Sequence, residues 1–257
     1  MFDYLPLGVQ LYIGAIAFLL GSVMGSAMNC LAYRMVHEQK WSGGRSACPH
    51  CGHVLKPYEL IPVLSFLLQK GKCRVCGAKL ARRYLVTEVL LGAMFVSLLL
   101  RFGLTLDTVT YLVLTACLLA LSLVDLDTQI IPDRFLAIPA AVRIAHIAAT
   151  GEWSAIIPAI AFGGGLLALS LIMDKILKKD SMGGGDIKLM AVLGLFFSVP
   201  ECLLLLILAC FAGIIIAGIL VKAKPDTPFP FGPALAIAAI VTTLAGEPII
   251  SWYMGLF

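Results

Sequence analysis

The 257-residue sequence predicts an all-α polytopic membrane protein with about eight transmembrane helices and one polar insertion between the first and the second. Three observations lead there. Hydrophobic residues make up 60% of the chain and charged residues 13%, with a mean hydropathy of +0.98, whereas a water-soluble domain needs roughly a quarter charged residues. The apolar residues fall in runs close to the ~20 residues that cross a bilayer as a helix. Ten of the nineteen Lys and Arg are confined to one stretch, Arg34 to Arg83.

The first run, Leu7 to Leu31, exceeds a signal-peptide core of roughly 7 to 15 residues, and Met1 to Pro6 lacks a basic start, so a retained span is expected. Its Gly21, Gly25 and Asn29 recur every four residues and form a small-residue ridge suited to close helix packing. The remaining spans are expected near Tyr84 to Leu100, Val109 to Val124, Phe135 to Ala149, Ala155 to Met173, Ile187 to Val199, Cys202 to Val221 and Pro233 to Met254. The sixth, at about 13 residues, is too short to cross alone without a tilted neighbour or a thinned bilayer, and is expected as a broken or half-buried helix.

Lys and Arg resist translocation, so the Arg34 to Arg83 segment marks the cytoplasmic side. Alternation then places three further connectors on that side, and these carry Arg134, Lys175, Lys178, Lys179, Lys222 and Lys224; the opposite connectors hold only Arg101. Arg143, inside the fourth span, is the one basic residue left near the wrong face. No aromatic-interleaved basic stripe is present, so the expected environment is the lipid bilayer and nucleic acid is not an expected partner.

Four of the eight cysteines, Cys30, Cys117, Cys202 and Cys210, lie singly in apolar runs as ordinary buried thiols. The other four form two Cys-x-x-Cys-Gly turns, Cys48-Pro-His-Cys51-Gly and Cys73-Arg-Val-Cys76-Gly, separated by 21 residues. Two-residue spacing lets both thiolates of a turn face one ion, and two such turns complete the tetrahedral shell of structural zinc. A pair of redox dithiols is the less favoured alternative. His50 and His53 flank the first turn and could replace a thiolate. A four-cysteine site leaves no open position for substrate, so the metal is expected to be structural. The polar insertion is thus expected as a small cytoplasmic zinc-knuckle domain over residues 34–83, after a first helix in 1–33 and before a membrane core in 84–257.

Ionisable groups at the ends of spans are costly and mark function. Asp125 and Asp127 close the third span, and Asp186 opens the sixth after Gly183, Gly184 and Gly185. Asp125 and Asp186 fall at the same cytoplasmic depth and can meet. Facing carboxylates share one proton and titrate as a pair, which is the equipment of an aspartic peptidase. The three glycines would let an extended peptide lie close to the backbone. Other readings stay open: Asp186 or Asp133 as helix N-caps, or acids lining an ion path in a transporter or channel. Gly163 to Gly165, mid-span and far from any acid, shows that a triple glycine alone carries no chemistry.

The chain resembles the type IV prepilin peptidase family, the bifunctional leader peptidase and N-methyltransferase of bacterial inner membranes. The resemblance is carried by Gly25-Ser-Ala-Met-Asn29-Cys-Leu-Ala-Tyr33-Arg34, both cysteine turns, Arg83-Tyr84-Leu-Val-Thr-Glu88, Asp125 through Pro132-Asp133, Gly183-Gly184-Gly185-Asp186-Ile-Lys188-Leu, and Pro230-Phe231-Gly232-Pro233. It implies that Asp125 and Asp186 are the catalytic pair. It implies a prepilin or pseudopilin substrate, cut after a glycine at the cytoplasmic border of its hydrophobic helix. It also implies methylation of the new N-terminus with S-adenosylmethionine, for which Glu59 is the candidate binding residue. Two departures are Met35-Val36 where the family often has Leu-Pro, and Leu60 where Asn is usual, the latter in the segment most associated with methyl transfer.

Overall fold

Long apolar runs have one way to satisfy their backbone inside lipid, the internally hydrogen-bonded helix, and helices dominate the computed structural model, which describes residues 6–40, 45–178, 182–223 and 229–256. The helices are α1 (Leu7–Val36), α2 (Leu64–Leu68), α3 (Arg82–Phe102), α4 (Leu106–Thr128), α5 (Asp133–Thr150), α6 (Ile156–Leu177), α7 (Gly184–Gly194), α8 (Val199–Ala223) and α9 (Gly232–Met254). Among the described residues the only β-type pairs are isolated bridges. Lys179 and Lys224, on which part of the expected charge bias rests, lie outside the described residues, as do Met1 to Leu5 and the side chain of Lys222.

Each of the eight expected spans is a helix. Six are long and apolar enough to cross a membrane: α1, α3, α4, α6, α8 and α9. The two others fall short for different reasons. At 11 residues, α7 is roughly 16 Å long against a hydrocarbon core of about 30 Å. At 18 residues, α5 carries Arg134 and Arg143.

The chain divides into two compact units, Met1–Ala120 and Leu121–Phe257, with the division inside α4. In the first, α1 buries Gly21, Ser22, Gly25, Asn29 and Ala32 and leaves most of its apolar surface outward, as a lipid-facing span should. The expected ridge lies against α3. A Cβ on Gly21 would come 2.6 Å from the Leu91 carbonyl oxygen, and one on Gly25 2.7 Å from that of Thr87. One turn further on, Asn29 Nδ2 donates to Thr87 Oγ1 at 3.1 Å. The small residues thus bring two backbones into contact and bury one side-chain hydrogen bond between them.

In the second unit, α6 and α7 pack just as closely: a Cβ on Gly163 would strike Ala191, and one on Gly194 would strike Ala159. Gly163, which had no evident role in the sequence, is where α7 is received. Arg143 is buried on α5, and its Nε donates to the carbonyl of Leu195, just past the end of α7, at 3.0 Å. Its guanidinium also meets His146 Nδ1 at 3.1 Å and lies 5.6 Å from the centre of the Phe196 ring. The cation that seemed to lie near the wrong face is therefore a C-terminal cap for α7, with its Nη2 4.0 Å from the carboxylate of the exposed Glu152.

Candidate functional site

Asp125 lies in the last turn of α4 and is buried, at 3% exposure. Its Oδ2 accepts the Gly232 backbone N–H at 2.9 Å. Gly232 is the first residue of α9, so the carboxylate takes an amide that has no helical partner, at the positive end of the helix dipole. A Cβ at Gly232 would lie 2.7 Å from that oxygen; only glycine lets the acid come so near. Phe229 and Phe231, in an edge-on pair, lie beside Gly213 of α8 and set the approach to α9. Gly232 was visible in the sequence only as part of Pro230-Phe231-Gly232-Pro233. A glycine-proline pair opening a span was the available signal, and it gave no hint of the partner.

Asp186 is the third residue of α7. The N-cap is Gly183, so Asp186 sits inside the first turn and is not a cap. Half-buried, it lies within electrostatic reach of Asp125. Ile131 connects the two positions: a Cβ on Gly185 would come 2.9 Å from the Ile131 Cβ, and one on Gly232 3.4 Å from its Cδ1. The three expected glycines thus differ in surroundings. Gly185 makes room for Ile131, whereas Gly183 and Gly184 are exposed, with Asp186 Oδ2 folded over Gly183. Asp127, two residues beyond Asp125, is exposed. Asp133 in the first turn of α5 pairs with Lys188 Nζ at 2.8 Å, joining the starts of α5 and α7 on the exposed side.

The cysteine turns form a second centre, in the first unit. The four Sγ atoms of Cys48, Cys51, Cys73 and Cys76 lie within 4.8 Å of one another, with Cys48–Cys76 at 3.9 Å and Cys51–Cys73 at 4.0 Å. A tetrahedron of thiolates around zinc has edges of about 3.8 Å, from Zn–S bonds near 2.3 Å, so the donor set fits that ion. The two turns are built alike. Cys48 N–H bonds to His53 O and Cys73 N–H to Ala78 O, both at 2.9 Å, while Gly52 and Gly77 hold φ of +71° and +72°. Backbone N–H groups of Cys76 and Val75 push the Cys73 thiol down to about 6, while desolvation and the other three sulfurs push the Cys51 thiol up to about 12.

Among the flanking histidines, His53 is engaged elsewhere: its Nε2 lies 3.2 Å from Glu59 Oε2. Glu59 is buried, and the same oxygen accepts the Lys56 N–H at 2.9 Å. That amide, with His53 and Arg74 adding to it, holds the carboxyl below the usual carboxylate range. A second buried acid, Glu88 on α3, accepts the Val63 N–H at 2.7 Å. In the sequence Glu88 stands out only as part of a motif, since nothing local in a run of apolar residues names a partner 25 positions earlier.

Residues 19–102 match the model of the bacterial peptidase A24 N-terminal domain, and residues 112–218 that of the type IV leader peptidase family. The chain is 34% identical over 251 residues to a prepilin leader peptidase/N-methyltransferase of Bacillus subtilis, covering 93% of this chain and 97% of that one. It is 32% identical to the protein of the same name from Pseudomonas aeruginosa, covering 92% and 91%, and 31% identical to one from Burkholderia pseudomallei, covering 96% and 89%. No solved structure gives a significant match.

Proposed function

We propose, from the premise that the chain belongs to the type IV leader peptidase family, that it is a membrane aspartic endopeptidase acting on prepilins or pseudopilins. The observation that carries the reading is the Asp125 carboxylate held on the Gly232 amide with Asp186 in electrostatic reach. Two carboxylates so placed hold one proton between them. The ionised member takes a proton from water, and the protonated member donates to the scissile carbonyl as the tetrahedral intermediate forms. Asp125 is favoured over Asp127 as the first acid because it is the buried one. Gly183 and Gly184 leave open backbone beside Asp186 for an extended peptide, and Gly185 sets the depth of α7 against Ile131.

The protein is multi-pass in the bacterial inner membrane, and the excess of Lys and Arg in segment 34–83 supports a cytoplasmic position for the four cysteines and, by alternation of the spans, for the two acids. Cleavage would fall after the glycine that ends the basic leader. The relatives' names carry a second activity, methylation of the new N-terminus. S-adenosylmethionine would supply the methyl group. Glu59 has Oε2 committed to Lys56 and His53, which leaves Oε1 as the acceptor a donor's amine or hydroxyl would use. Zinc, held by the four thiolates, has a structural task. The names of the relatives do not favour a transporter or channel.

The test is incubation of purified protein in lipid with a synthetic prepilin and labelled S-adenosylmethionine, reading cleavage and label transfer together. Cleavage after the glycine, followed by labelling of the new N-terminus, is the expected result. An intact prepilin would overturn the peptidase reading, and cleavage without label would overturn the methyl-transfer reading alone.

A further inference from the structure

Between the two cysteine turns the chain exposes apolar side chains where a polar domain would bury them. Leu64, Leu67 and Leu68 of α2 are 51%, 57% and 68% exposed, and Leu60 and Ile61 just before it 42% and 43%. Two features say what covers them. The first is depth. Glu88 Oε2 accepts the Val63 N–H at 2.7 Å, and Glu88 stands six residues into α3, about 9 Å along its axis from Arg82. Arg82 and Arg83 are suited to headgroup level, so the start of α2 is drawn down alongside the first turns of a membrane span. Val63 is held there at φ +62°, a region that β-branched residues rarely enter and that persists only where surrounding contacts impose it.

The second feature is charge. Residues 45–83 contain eight Lys or Arg and a single acid, the buried Glu59. Lys70, Lys72 and Arg74 follow α2 directly. An apolar edge rimmed by cations at this depth matches an anionic lipid surface, with leucines at the acyl boundary and cations among the phosphates.

We propose that α2 and the residues just before it are a membrane-docking surface, seated in the headgroup–acyl boundary of the adjacent leaflet with anionic phospholipid as its occupant. The surface is independent of the peptidase reading. It would hold the zinc-binding segment flat on the membrane, with Glu88 as the tether.

The test uses the full zinc-loaded chain with Trp41→Phe, Trp153→Phe and Trp252→Phe, and Leu68→Trp as the only indole. The protein is reconstituted in vesicles of about three parts zwitterionic to one part anionic phospholipid. The expected emission is blue-shifted and quenched about twofold or more by lipids brominated near the headgroup, less by lipids brominated at the chain end. Quenching should weaken in purely zwitterionic vesicles. Emission typical of water-exposed indole, untouched by either brominated lipid, would overturn the proposal. So would equal quenching with and without anionic lipid, or a blue shift that appears only on adding a prepilin peptide. Leu64→Trp provides the same readout if Leu68→Trp does not fold.

Discussion

The backbone amide of Gly232 donates to the Asp125 carboxylate across 107 residues of chain, at 2.9 Å. Tying the end of α4 to the start of α9, that bond fixes one acid while Asp186 approaches on α7. Gly232→Ala is expected to insert normally but to lose activity, because the new Cβ would lie 2.7 Å from Oδ2. A displacement of about 1 Å in a reacting group costs on the order of a hundredfold in rate, and prepilin cleavage measured in lipid checks it.

Arg143→Met should destabilise the second unit. It leaves the Leu195 carbonyl without its 3.0 Å donor inside a packed region, and an unsatisfied buried group costs about 1–3 kcal/mol. Thermal unfolding in detergent measures the loss. Arg143→Lys should restore only part of it, since an ammonium lacks the guanidinium fork that serves Leu195 and His146 together.

Gly25→Leu should weaken the α1–α3 pair. Its side chain would have to occupy the space of the Thr87 carbonyl, 2.7 Å from the Cβ position, and overpacking of this kind costs about 1–3 kcal/mol. Gly14→Leu on the same helix is the control, because nothing lies within 4 Å of its Cβ position. The two variants should separate by thermal stability, Gly14→Leu remaining close to the parent.

The segment that carries the four cysteines is expected to depend on a bound metal. Purified protein is expected to carry about one zinc per chain, and Cys48→Ser or Cys73→Ser should abolish it, since the four sulfurs lie within 4.8 Å of one another. Limited proteolysis should then cut between residues 45 and 80 in the variants and spare the parent. Metal analysis showing full zinc in both variants would contradict the assignment.

Much of this organisation was legible in the sequence because it is local. Eight apolar runs became eight helices, the four-residue spacing of Gly21, Gly25 and Asn29 became the α1–α3 contact, and two Cys-x-x-Cys-Gly turns became one cluster of sulfurs. What was not legible depends on partners far along the chain. Arg143 looked misplaced because its acceptor, Leu195, is 52 positions away. Gly185 reads as a flexible residue until Ile131 is seen against it. Gly232 has no side chain to announce that its amide serves Asp125. Glu59 and Glu88 resemble surface acids in the sequence, yet both are buried and bound to backbone amides.

The most direct measurement is prepilin cleavage by Asp125→Asn, Asp186→Asn and Asp127→Asn proteins that insert and retain zinc. If Asp125 and Asp186 share the catalytic proton as proposed, removing either should lower the rate by roughly a thousandfold or more, whereas Asp127→Asn should stay near the parent. Asp125→Asn and Asp186→Asn proteins that cleave at the parent's rate would contradict the account.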